Sequence, residues 1–577
     1  MSGAFSVWAP HASTLEVEDL DGEGGPRLVR LERGDDGRWT SDHVPVGRYW
    51  IVLDGERFPD PAARAQPEGF DGPSAGAHPP AFPWTDGTWS GVELGDAVLY
   101  ELHVGTFSTE GTFDGALAHL DHLVDLGIDA VELMPVHTFP GDRGWGYDGV
   151  LLGAPHPAYG GPEGLRRLVD ACHHRGIGVI LDVVYNHLGP LGNHLARFGP
   201  FFDEHRHTPW GPAVNLDGPG RDGVRRFIVD DAVRWVDEYH LDGLRLDAVH
   251  AFEDRSAVHL VEELAIAVRA VGTARGRRTW VIAESDLNDP KVVRPVDAGG
   301  WGADAAWSDD FHHAVHAALT GERDRYLADF GTVGALGATL TNVFVHDGSY
   351  SAFRQRRHGR PVGGVDRHRF IGYTQNHDQV GNRALGERMV DLAGTDRARV
   401  AAALLLTAPF VPMLFQGEEW AASAPFLYFT SYPDEALGRA VRDGRRAEHA
   451  ATVDPERVPD PQAASTFVRS RLDWTEATHG DHAAILGWYR SLVHLRRVEP
   501  DLRRGGEHDT AVLIDEDARW LRMRRGRVLV AANLGERTAC VPDDGADMVW
   551  LVSRPGIVHH EGCWSLPPWS VVIAASP

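Results

Sequence analysis

Three carboxylates in the sequence are placed where acid–base chemistry is often carried out. Asp247 and Glu284 each end a short apolar run, and Asp378 follows shortly after a third run. A single acid at the end of a predicted strand is most often a cap or a loop anchor. Three acids from three parallel strands would instead meet at one edge, because the carboxyl ends of such strands lie together. The set therefore predicts one reactive site.

Two of these acids suit glycoside hydrolysis, in which a carboxylate attacks the anomeric carbon and a protonated carboxyl gives its proton to the leaving oxygen. Arg245 lies two residues before Asp247, on the same face of a strand, where its charge would keep Asp247 ionised. Glu284 follows three apolar residues, a setting that favours the protonated acid. A retaining pair would lie about 5–5.5 Å apart. Two-metal hydrolysis could use a similar cluster, and the residue types leave that alternative open.

The elements that would position these acids follow an alternating pattern. Short apolar runs alternate with segments whose apolar residues recur with the helical period, such as Leu165, Leu168, Val169 and Cys172, which predicts that Cys172 is a packing residue. Eight strands with helices between them predict an α/β fold with a central (β/α)8 TIM barrel, whose active site lies at the C-terminal ends of the strands. The predicted barrel strands are residues 98–104, 130–135, 178–184, 243–247, 280–284, 305–307, 371–374 and 410–415.

The regions outside this pattern read as β structure. Residues 1–92 contain short alternating strands and a linker rich in Pro and Gly at 54–91, and they predict an N-terminal β-sandwich domain. Residues 93–500 are assigned to the catalytic barrel, with a long decorated loop at 421–466. Residues 501–577 predict a C-terminal β-sandwich. Its predicted strands are 511–514, 520–523, 528–532, 549–552 and 571–574.

The composition excludes several classes of function. The net charge of −27 predicts that neither nucleic acid nor an anionic membrane is a partner. The single lysine, Lys291, lies outside any phosphate-binding loop motif. Cys172, Cys540 and Cys563 are far apart and odd in number, so no disulfide framework is expected, which fits a reducing compartment. The first ten residues lack a signal-peptide pattern, and the predicted location is the cytoplasm.

Four segments that carry the polar residues resemble the catalytic-region motifs of the α-amylase superfamily of glycoside hydrolases. In chain order they are DVVYNH, GLRLDAVH, VIAE and NHD. The N-terminal segment FSVWAP is similar to the start of the β-sandwich, glucan-binding in type, that precedes the barrel in branching and debranching members. The resemblance implies that Asp247 is the nucleophile, Glu284 the general acid and base, and Asp378 the residue that stabilises the transition state. It implies no cofactor.

The same resemblance assigns residues that bind sugar. His187, Arg245 and His377 would hold the sugar in the subsite where the bond breaks, and Tyr147, in the segment WGYD, would stack under that sugar. Asn186 is a calcium ligand in some amylases. No matching Asp-rich loop is present in this sequence, so Asn186 is interpreted as structural and no metal site is predicted.

Longer segments narrow the resemblance to members that release trehalose from maltooligosyltrehalose by cutting the adjacent α-1,4 bond. These segments are RGWGYDGV, NLDGPG, WSDDFHHAVHAALTGER, NHDQVGNR and FQGEEWAASAPF. The resemblance implies maltooligosyltrehalose and related α-1,4-glucans as substrates, and a functional link to a maltooligosyltrehalose synthase. The residues that it assigns to gripping the trehalose are His250, Trp307, Asp309, Asp310, Gln379 and Asn382.

Two other functions stay open on the sequence. A 1,4-α-glucan branching enzyme uses the same chemistry with a sugar hydroxyl in place of water, although branching enzymes typically carry Glu where this chain has Gln379. A non-catalytic glucan-binding scaffold would keep the barrel without turnover, and the presence of all three carboxylates counts against it. A metal site formed by Asp310, His312, His313 and His316 is disfavoured, because their spacing matches no known signature.

Overall fold

The computed structural model describes residues 5–77, 81–506 and 509–577. Of the first ten residues, for which no signal peptide is predicted, residues 1–4 lie outside the described part. Within the described ranges, no helix has the length and apolar character needed to cross a membrane.

Eight parallel strands close into a barrel, which confirms the predicted (β/α)8 fold. Each strand overlaps one predicted run, and the strands neighbour each other in chain order until the eighth pairs with the first. Every residue of these strands is buried, because side chains fill the barrel and helices cover its outside. In chain order the strands are Leu99–Leu102, Ala130–Leu133, Gly178–Val183, Gly243–Leu246, Trp280–Ala283, Ala305–Trp307, Phe370–Gly372 and Val411–Phe415.

The connections between the strands are mainly helical. The predicted apolar stripe lies in the helix Gly161–His174, where Leu165, Leu168, Val169 and Cys172 are all buried, as a helix packed by one face requires. The other long connecting helices are Arg221–Glu238, Leu260–Arg275, Asp309–Thr320, Val333–Asn342, Thr395–Thr407 and Gly480–Val498.

A two-stranded antiparallel sheet, His137–Thr138 with Leu151–Pro155, follows the second strand, and its loop carries Tyr147 to one of the cavities described below. Two further hairpins extend from the rim of the barrel that carries the polar strand ends. One follows the third strand and consists of Phe202–Thr208 and Gly211–Val214. The other precedes the seventh strand and consists of Tyr350–Ser351 and Arg356–Arg357. Both hairpins bring side chains to the cavities described below.

The prediction of one long loop at 421–466 is wrong in its middle part. The helix Glu435–His449 occupies it, and the Asp434 carboxylate caps this helix by accepting hydrogen bonds from two backbone N–H groups. Gly438 and His449 are its buried residues, and the rest of the helix is mainly charged and partly or fully exposed. Leu437, Ala440 and Val441 do recur with the helical period, but they are few among charged residues and are flanked by Pro and Asp, so the sequence pattern predicts a loop.

The N-terminal region forms two antiparallel sheets of three and four strands, as predicted. Leu15 and Val17 alternate with half-buried residues and point into the core between the sheets. Trp39 is buried and Trp8 packs against Phe201 of the barrel region, with ring centroids 5.3 Å apart. The strands are Phe5–Trp8, Leu15–Asp19, Arg27–Arg30, Glu32–Arg33, Arg38–Ser41, Tyr49–Leu53 and Glu56–Phe58.

The end of the predicted linker is buried against the N-terminal side of the barrel, rather than lying on the surface. The Asp86 carboxylate is in contact with His173, His240 and Arg277, with ion-pair distances of 2.8 to 3.0 Å. His173 also contacts Asp242, the residue before the fourth strand, at 2.9 Å. This cluster attaches the linker to the end of one helix, to the segments that follow two others, and to the start of the fourth strand.

The C-terminal region contains a five-stranded and a three-stranded antiparallel sheet. All five predicted strands fall in the larger sheet, whose order is Thr510–Asp515, Trp520–Arg525, Val528–Asn533, Ser570–Ala575 and Met548–Val552. The smaller sheet, whose strands have only three or four residues, was not predicted. It consists of Ala539–Pro542, Cys563–Leu566 and Val558–His560.

The structure corrects the cysteine prediction, because Cys540 and Cys563 form a disulfide. They are 23 residues apart in sequence, and pairing of their two strands places Cys563 opposite Pro542 and Cys540 opposite Ser565. The two cysteines become diagonal neighbours only through this pairing, which the spacing alone does not reveal. Cys172 is a buried free thiol.

Candidate active site

The three predicted acids line one cavity of about 520 Å³ at the C-terminal ends of the strands. Asp247 and Glu284 directly follow the fourth and fifth strands. Asp378 lies in the short helix His377–Gly381 after the seventh strand, and Asn376 caps that helix. The structure therefore brings together the residues that the strand ends predicted to meet. We call this space the first cavity.

The guanidinium of Arg245 connects the acids. Arg245 is fully buried, and its Nη1 donates to Asp247 Oδ1 at 2.9 Å and to Asp182 Oδ2 at 2.7 Å. Its Nη2 lies 2.8 Å from Glu284 Oε2. The guanidinium is also stacked over the Trp307 ring, 4.1 Å from its centroid. Both predicted reacting acids thus contact one cation.

The environment of Asp247 favours its charged form. Burial by itself would raise its pKa, but the charge of Arg245 and a 2.5 Å hydrogen bond from Asn186 Nδ2 outweigh burial and lower the pKa below its usual value. The interpretation of Asn186 as structural agrees with this contact, since its amide holds the Asp247 carboxylate.

The environment of Glu284 favours its neutral form. Burial raises its pKa well above the usual value, and the negative charges of Asp247, Asp378 and Asp309 add to that effect, against the opposing charge of Arg245. The backbone N–H of Ala248 donates to Glu284 Oε2 at 2.8 Å. Ala248 has a positive φ of 40°, an uncommon conformation that is part of the turn directing this N–H to the acid.

His377 and Tyr147 form the wall beside the acids. The Tyr147 hydroxyl donates to Asp182 Oδ2 at 2.5 Å and lies 2.8 Å from His377 Nε2, and the two rings stack. His377 Nδ1 lies 2.5 Å from Glu101 Oε1. Burial opposes a charge on His377, but Glu101 and Asp378 outweigh it and raise the pKa of His377 to about 9.

His187 and His250 also line the first cavity. His250, which the resemblance assigns to gripping the trehalose, is not among the described residues that line the second cavity. His187 Nε2 donates to the Tyr147 carbonyl at 2.8 Å, and its ring stacks on Trp210 of the hairpin that follows the third strand. His250 Nδ1 accepts from the Asp286 backbone N–H at 3.3 Å. Each imidazole is thus held by a backbone group.

A second cavity, of about 760 Å³, adjoins the first and shares Asp378 and Asn382 with it. Asn382 Nδ2 donates to Asp378 Oδ1 at 3.1 Å, so this pair stands between the two spaces. Asp309 and Gln379, which the resemblance assigns to gripping trehalose, line the second cavity. Burial raises the pKa of Asp309 to about 6.

Trp307 and Asp310 are not among the described residues that line either cavity. Trp307 is buried beneath the Arg245 guanidinium. The Asp310 carboxylate accepts hydrogen bonds from Asn288 Nδ2 and from the backbone N–H groups of Val345 and His346. These contacts hold a loop, and a direct role of either residue in gripping substrate stays a prediction.

Two of the three histidines after Asp310 hydrogen-bond protein groups, and His313 lines the second cavity with its ring against Tyr326. His312 Nδ1 donates to the Thr374 carbonyl at 2.8 Å, and His316 Nε2 contacts Glu322 at 2.7 Å. In the described ranges, no group of three or more His, Cys, Asp or Glu side chains is arranged to hold a metal ion.

Sequence reasoning missed several residues of the site. Glu101 and Asp182 lie inside runs that read as apolar strands, so their polar contacts leave no distinct signal. Tyr326, Phe353 and Arg354 line the second cavity from irregular segments before the seventh strand. An aromatic residue next to an arginine in a loop is a weak signal for a sugar site, and nothing in the local pattern connects these loops to Asp378.

Comparison with known proteins agrees with this geometry. The alpha-amylase catalytic-domain family model matches residues 65–197, and a family model described as a domain of unknown function (DUF3459) matches residues 505–573. The chain is 47% identical to the malto-oligosyltrehalose trehalohydrolase of Rhizobium sp. (strain M-11), over 99% of this chain and 97% of that protein. A 1,4-alpha-glucan branching enzyme from Jannaschia sp. is 30% identical over 53% of this chain and 49% of its own length.

A crystal structure from Salmonella typhimurium, named "Putative alpha Amylase", superposes with a TM-score of 0.90 at 38% identity, and covers 99% of this chain and 97% of that one. The branching-enzyme relative matches about half of the chain, whereas the trehalohydrolase relative matches almost all of it. The chain therefore belongs to the malto-oligosyltrehalose trehalohydrolase family, within the α-amylase glycoside hydrolases.

Proposed function

We propose that this protein hydrolyses the α-1,4 bond next to the terminal trehalose of maltooligosyltrehalose, with retention of configuration. The main support for the proposal is that one small site shifts the pKa values of its two acids in opposite directions. The pKa of Asp247 is lowered and the pKa of Glu284 is raised, while both touch Arg245. Such a pair supplies an ionised nucleophile and a protonated acid at the same pH.

The reaction would proceed in two steps. Asp247 attacks the anomeric carbon while Glu284 gives its proton to the glycosidic oxygen, so that trehalose leaves and a glycosyl-enzyme forms. Glu284, now ionised, takes a proton from water, and the resulting hydroxide equivalent displaces Asp247 from the sugar. Arg245 remains between the two acids throughout and favours whichever of them is charged.

The first cavity would hold the glucan side of the bond. Tyr147, His187 and His377 line this space and would contact the reacting sugar. Arg245 is fully buried behind them and would act on the sugar through Asp247 and Glu284. The Asp378 carboxylate faces the same space and would bind hydroxyls of the distorted ring, since it is half-exposed and available to a ligand.

The second cavity would receive the trehalose. It adjoins the acids through Asp378 and Asn382, and it contains both flat apolar faces and charged groups. Phe353 and Tyr326 supply rings for the sugar faces. Arg354 and Asp286, joined by a 2.9 Å hydrogen bond, supply groups for its hydroxyls. A disaccharide needs such a combination of faces and polar groups.

The proposal extends to the substrate supply and the location. Maltooligosyltrehalose and related α-1,4-glucans are the proposed ligands, and a synthase that forms the trehalose end must supply them. The net charge of −27 supports the view that neither nucleic acid nor an anionic membrane is a partner. The proposed cellular location is the cytoplasm.

The test is chromatography of the products formed from maltotriosyltrehalose and, separately, from maltopentaose. We expect fast release of trehalose from the first substrate and slow or no cleavage of the second. Equal cleavage of both would reduce the protein to a general α-1,4-glucan hydrolase. No cleavage of either would leave the branching and scaffold alternatives, which an iodine-staining shift with amylose would separate.

A further inference from the structure

A continuous series of contacts leads from Glu101, in the first barrel strand, to Asp247. Glu101 contacts His377, His377 contacts the Tyr147 hydroxyl, and that hydroxyl donates to Asp182. Asp182 accepts from Arg245 Nη1, and the same nitrogen donates to Asp247. Each of these distances is between 2.5 and 2.9 Å. Glu101 is buried at the far end of this series. It is not among the described residues that line either cavity.

The donors and acceptors of this series determine which ring nitrogens of His377 are protonated. The Tyr147 O–H is used by Asp182, so the Tyr147 oxygen must accept from His377 Nε2, which therefore carries a hydrogen. Glu101 Oε2 accepts the His377 backbone N–H at 2.9 Å, and Glu101 Oε1 faces Nδ1. A carboxylate there requires a hydrogen on Nδ1 as well. An imidazole with both nitrogens protonated is a cation.

Other groups around His377 come from six strands and their loops. Trp145 and Trp307 contribute rings and no charge. Asp378 Oδ1 lies 3.6 Å from His377 Nε2 and adds to the effect of Glu101. Arg245 opposes the cation, and His103 is neutral at pH 7 because burial lowers its pKa to about 4. The titratable groups that act on His377 are Glu101, His103, Glu132, Tyr147, Asp182, Arg245 and Asp378.

We propose that Glu101 is a positioning residue of the reaction, which keeps His377 a cation so that its Nε2–H orients Tyr147 and faces the substrate beside Asp378. Without the Glu101 charge, His377 loses one of its two ring N–H hydrogens when the pH is above the ordinary pKa of histidine. The neutral ring can still donate from Nε2 to Tyr147, because the amide of a glutamine at position 101 can donate to Nδ1. What is lost is the positive charge that strengthens the Nε2–H contacts with Tyr147 and with the substrate. The inference rests on the proposed hydrolysis of an α-glucan in the first cavity.

Glu132 provides a matched control for Glu101. It lies opposite Glu101 on the adjacent strand and is equally buried, but neither of its carboxyl oxygens has a hydrogen-bond partner. Burial raises its pKa well above the usual value, which favours the neutral acid. Glu132→Gln therefore replaces a buried acid that has no hydrogen-bond partner by an amide of the same shape, whereas Glu101→Gln replaces the acid that faces His377.

The test is the ratio of variant to wild-type kcat/KM for maltotriosyltrehalose between pH 5 and pH 9, because the titration of Glu284 is common to both enzymes and cancels. We expect Glu101→Gln to be close to wild type at pH 5.5 and to fall as the pH rises. If its His377 titrates near 6.5 and not near 9, the loss at pH 8 is about 30-fold or more. Glu132→Gln should stay close to wild type at every pH, and Glu101→Asp, which keeps the charge, should show no fall with pH.

A second measurement, made on the wild type, tests the inference even if the Glu101→Gln variant does not fold. The imidazole ¹H–¹³C resonance of His377, assigned by its loss in His377→Gln, should report a cation in the wild type beyond pH 8. A neutral His377 at pH 7.5, or a pH-independent loss in Glu101→Gln, would overturn the inference. A wild type that releases no trehalose would instead contradict the proposed function, and the resonance would still decide the state of His377.

Discussion

The Nη2 atom of Arg245 lies 2.8 Å from Oε2 of Glu284, although burial and the neighbouring carboxylates raise the pKa of that glutamate well above its usual range. The nearby cation is therefore not sufficient to ionise Glu284. The same guanidinium hydrogen-bonds Asp247, whose pKa is lowered. One arginine thus serves a site in which one acid is charged and the other neutral.

This difference predicts the pH dependence of kcat/KM. Asp247 must be ionised, and since its pKa is lowered, activity should persist down to below about pH 4 before it is lost on the acid side. Glu284 must be protonated, and since its pKa is raised, activity should be lost on the alkaline side only well above pH 4.5. A profile with its alkaline limb near pH 4.5 would contradict the assignment of Glu284 as the acid.

The need for a proton donor predicts a difference between substrates for Glu284→Gln. With maltotriosyltrehalose, kcat/KM should fall by about 10²–10⁴, because the leaving oxygen is no longer protonated. With an α-maltosyl fluoride, whose fluoride leaves without protonation, formation of the glycosyl-enzyme should be much less affected. Rapid-quench measurement of fluoride release makes the comparison. Equal losses on both substrates would argue that Glu284 has another role.

The second cavity predicts where the preference for trehalose is set. Phe353→Ala should raise KM for maltotriosyltrehalose by about tenfold, through loss of a ring face, with a smaller effect on any cleavage of maltopentaose. Tyr350→Ala is the control, because Tyr350 belongs to the same hairpin, is 58% exposed and is not among the described residues lining the cavity. Similar kinetics for the two variants would place the trehalose elsewhere.

The buried contact between the linker and the barrel predicts a large effect on stability. Asp86→Asn should lower the free energy of unfolding by about 3–5 kcal/mol, because His173 and Arg277 lose a buried charged partner. Since His173 and Arg277 lower the pKa of Asp86, its contribution is present above its ordinary pKa and is lost as the pH falls. Urea unfolding at pH 7 measures the difference.

The control for this variant is Asp121→Asn. The Asp121 side chain is 84% exposed and pairs with Arg175 on the surface, so its loss should cost about 0–1 kcal/mol. Equal effects of Asp86→Asn and Asp121→Asn would show that the buried cluster does not attach the linker.

The sequence predicted the barrel and its acids because both leave a local signal. A buried strand reads as an apolar run, and Asp247 and Glu284 break such runs where the strands end. Asp182 begins the segment DVVYNH, but its role was not predicted, because its contacts with Tyr147 and Arg245 join residues that are far apart in the chain. These contacts depend on closure of the barrel.

The wrong or missed elements have the same kind of cause. In the helix Glu435–His449 the helical period is present in Leu437, Ala440 and Val441, but the apolar face is narrow and the surrounding Arg, Asp and Pro residues concealed it. The disulfide between Cys540 and Cys563 depends on the pairing of two short strands. The domain boundaries after residues 92 and 500, and the roles of the individual site residues, stay predictions.

The central claim is that Asp247 becomes covalently bonded to the sugar while Glu284 handles the proton. Peptide mass spectrometry of Glu284→Gln after reaction with α-maltosyl fluoride tests it most directly, because the variant can form the glycosyl-enzyme but lacks the base that releases it. The account predicts a maltosyl adduct on the peptide that contains Asp247, and none when Asp247→Asn is added. An adduct on a different carboxylate, or turnover with no adduct and inverted product, would contradict it.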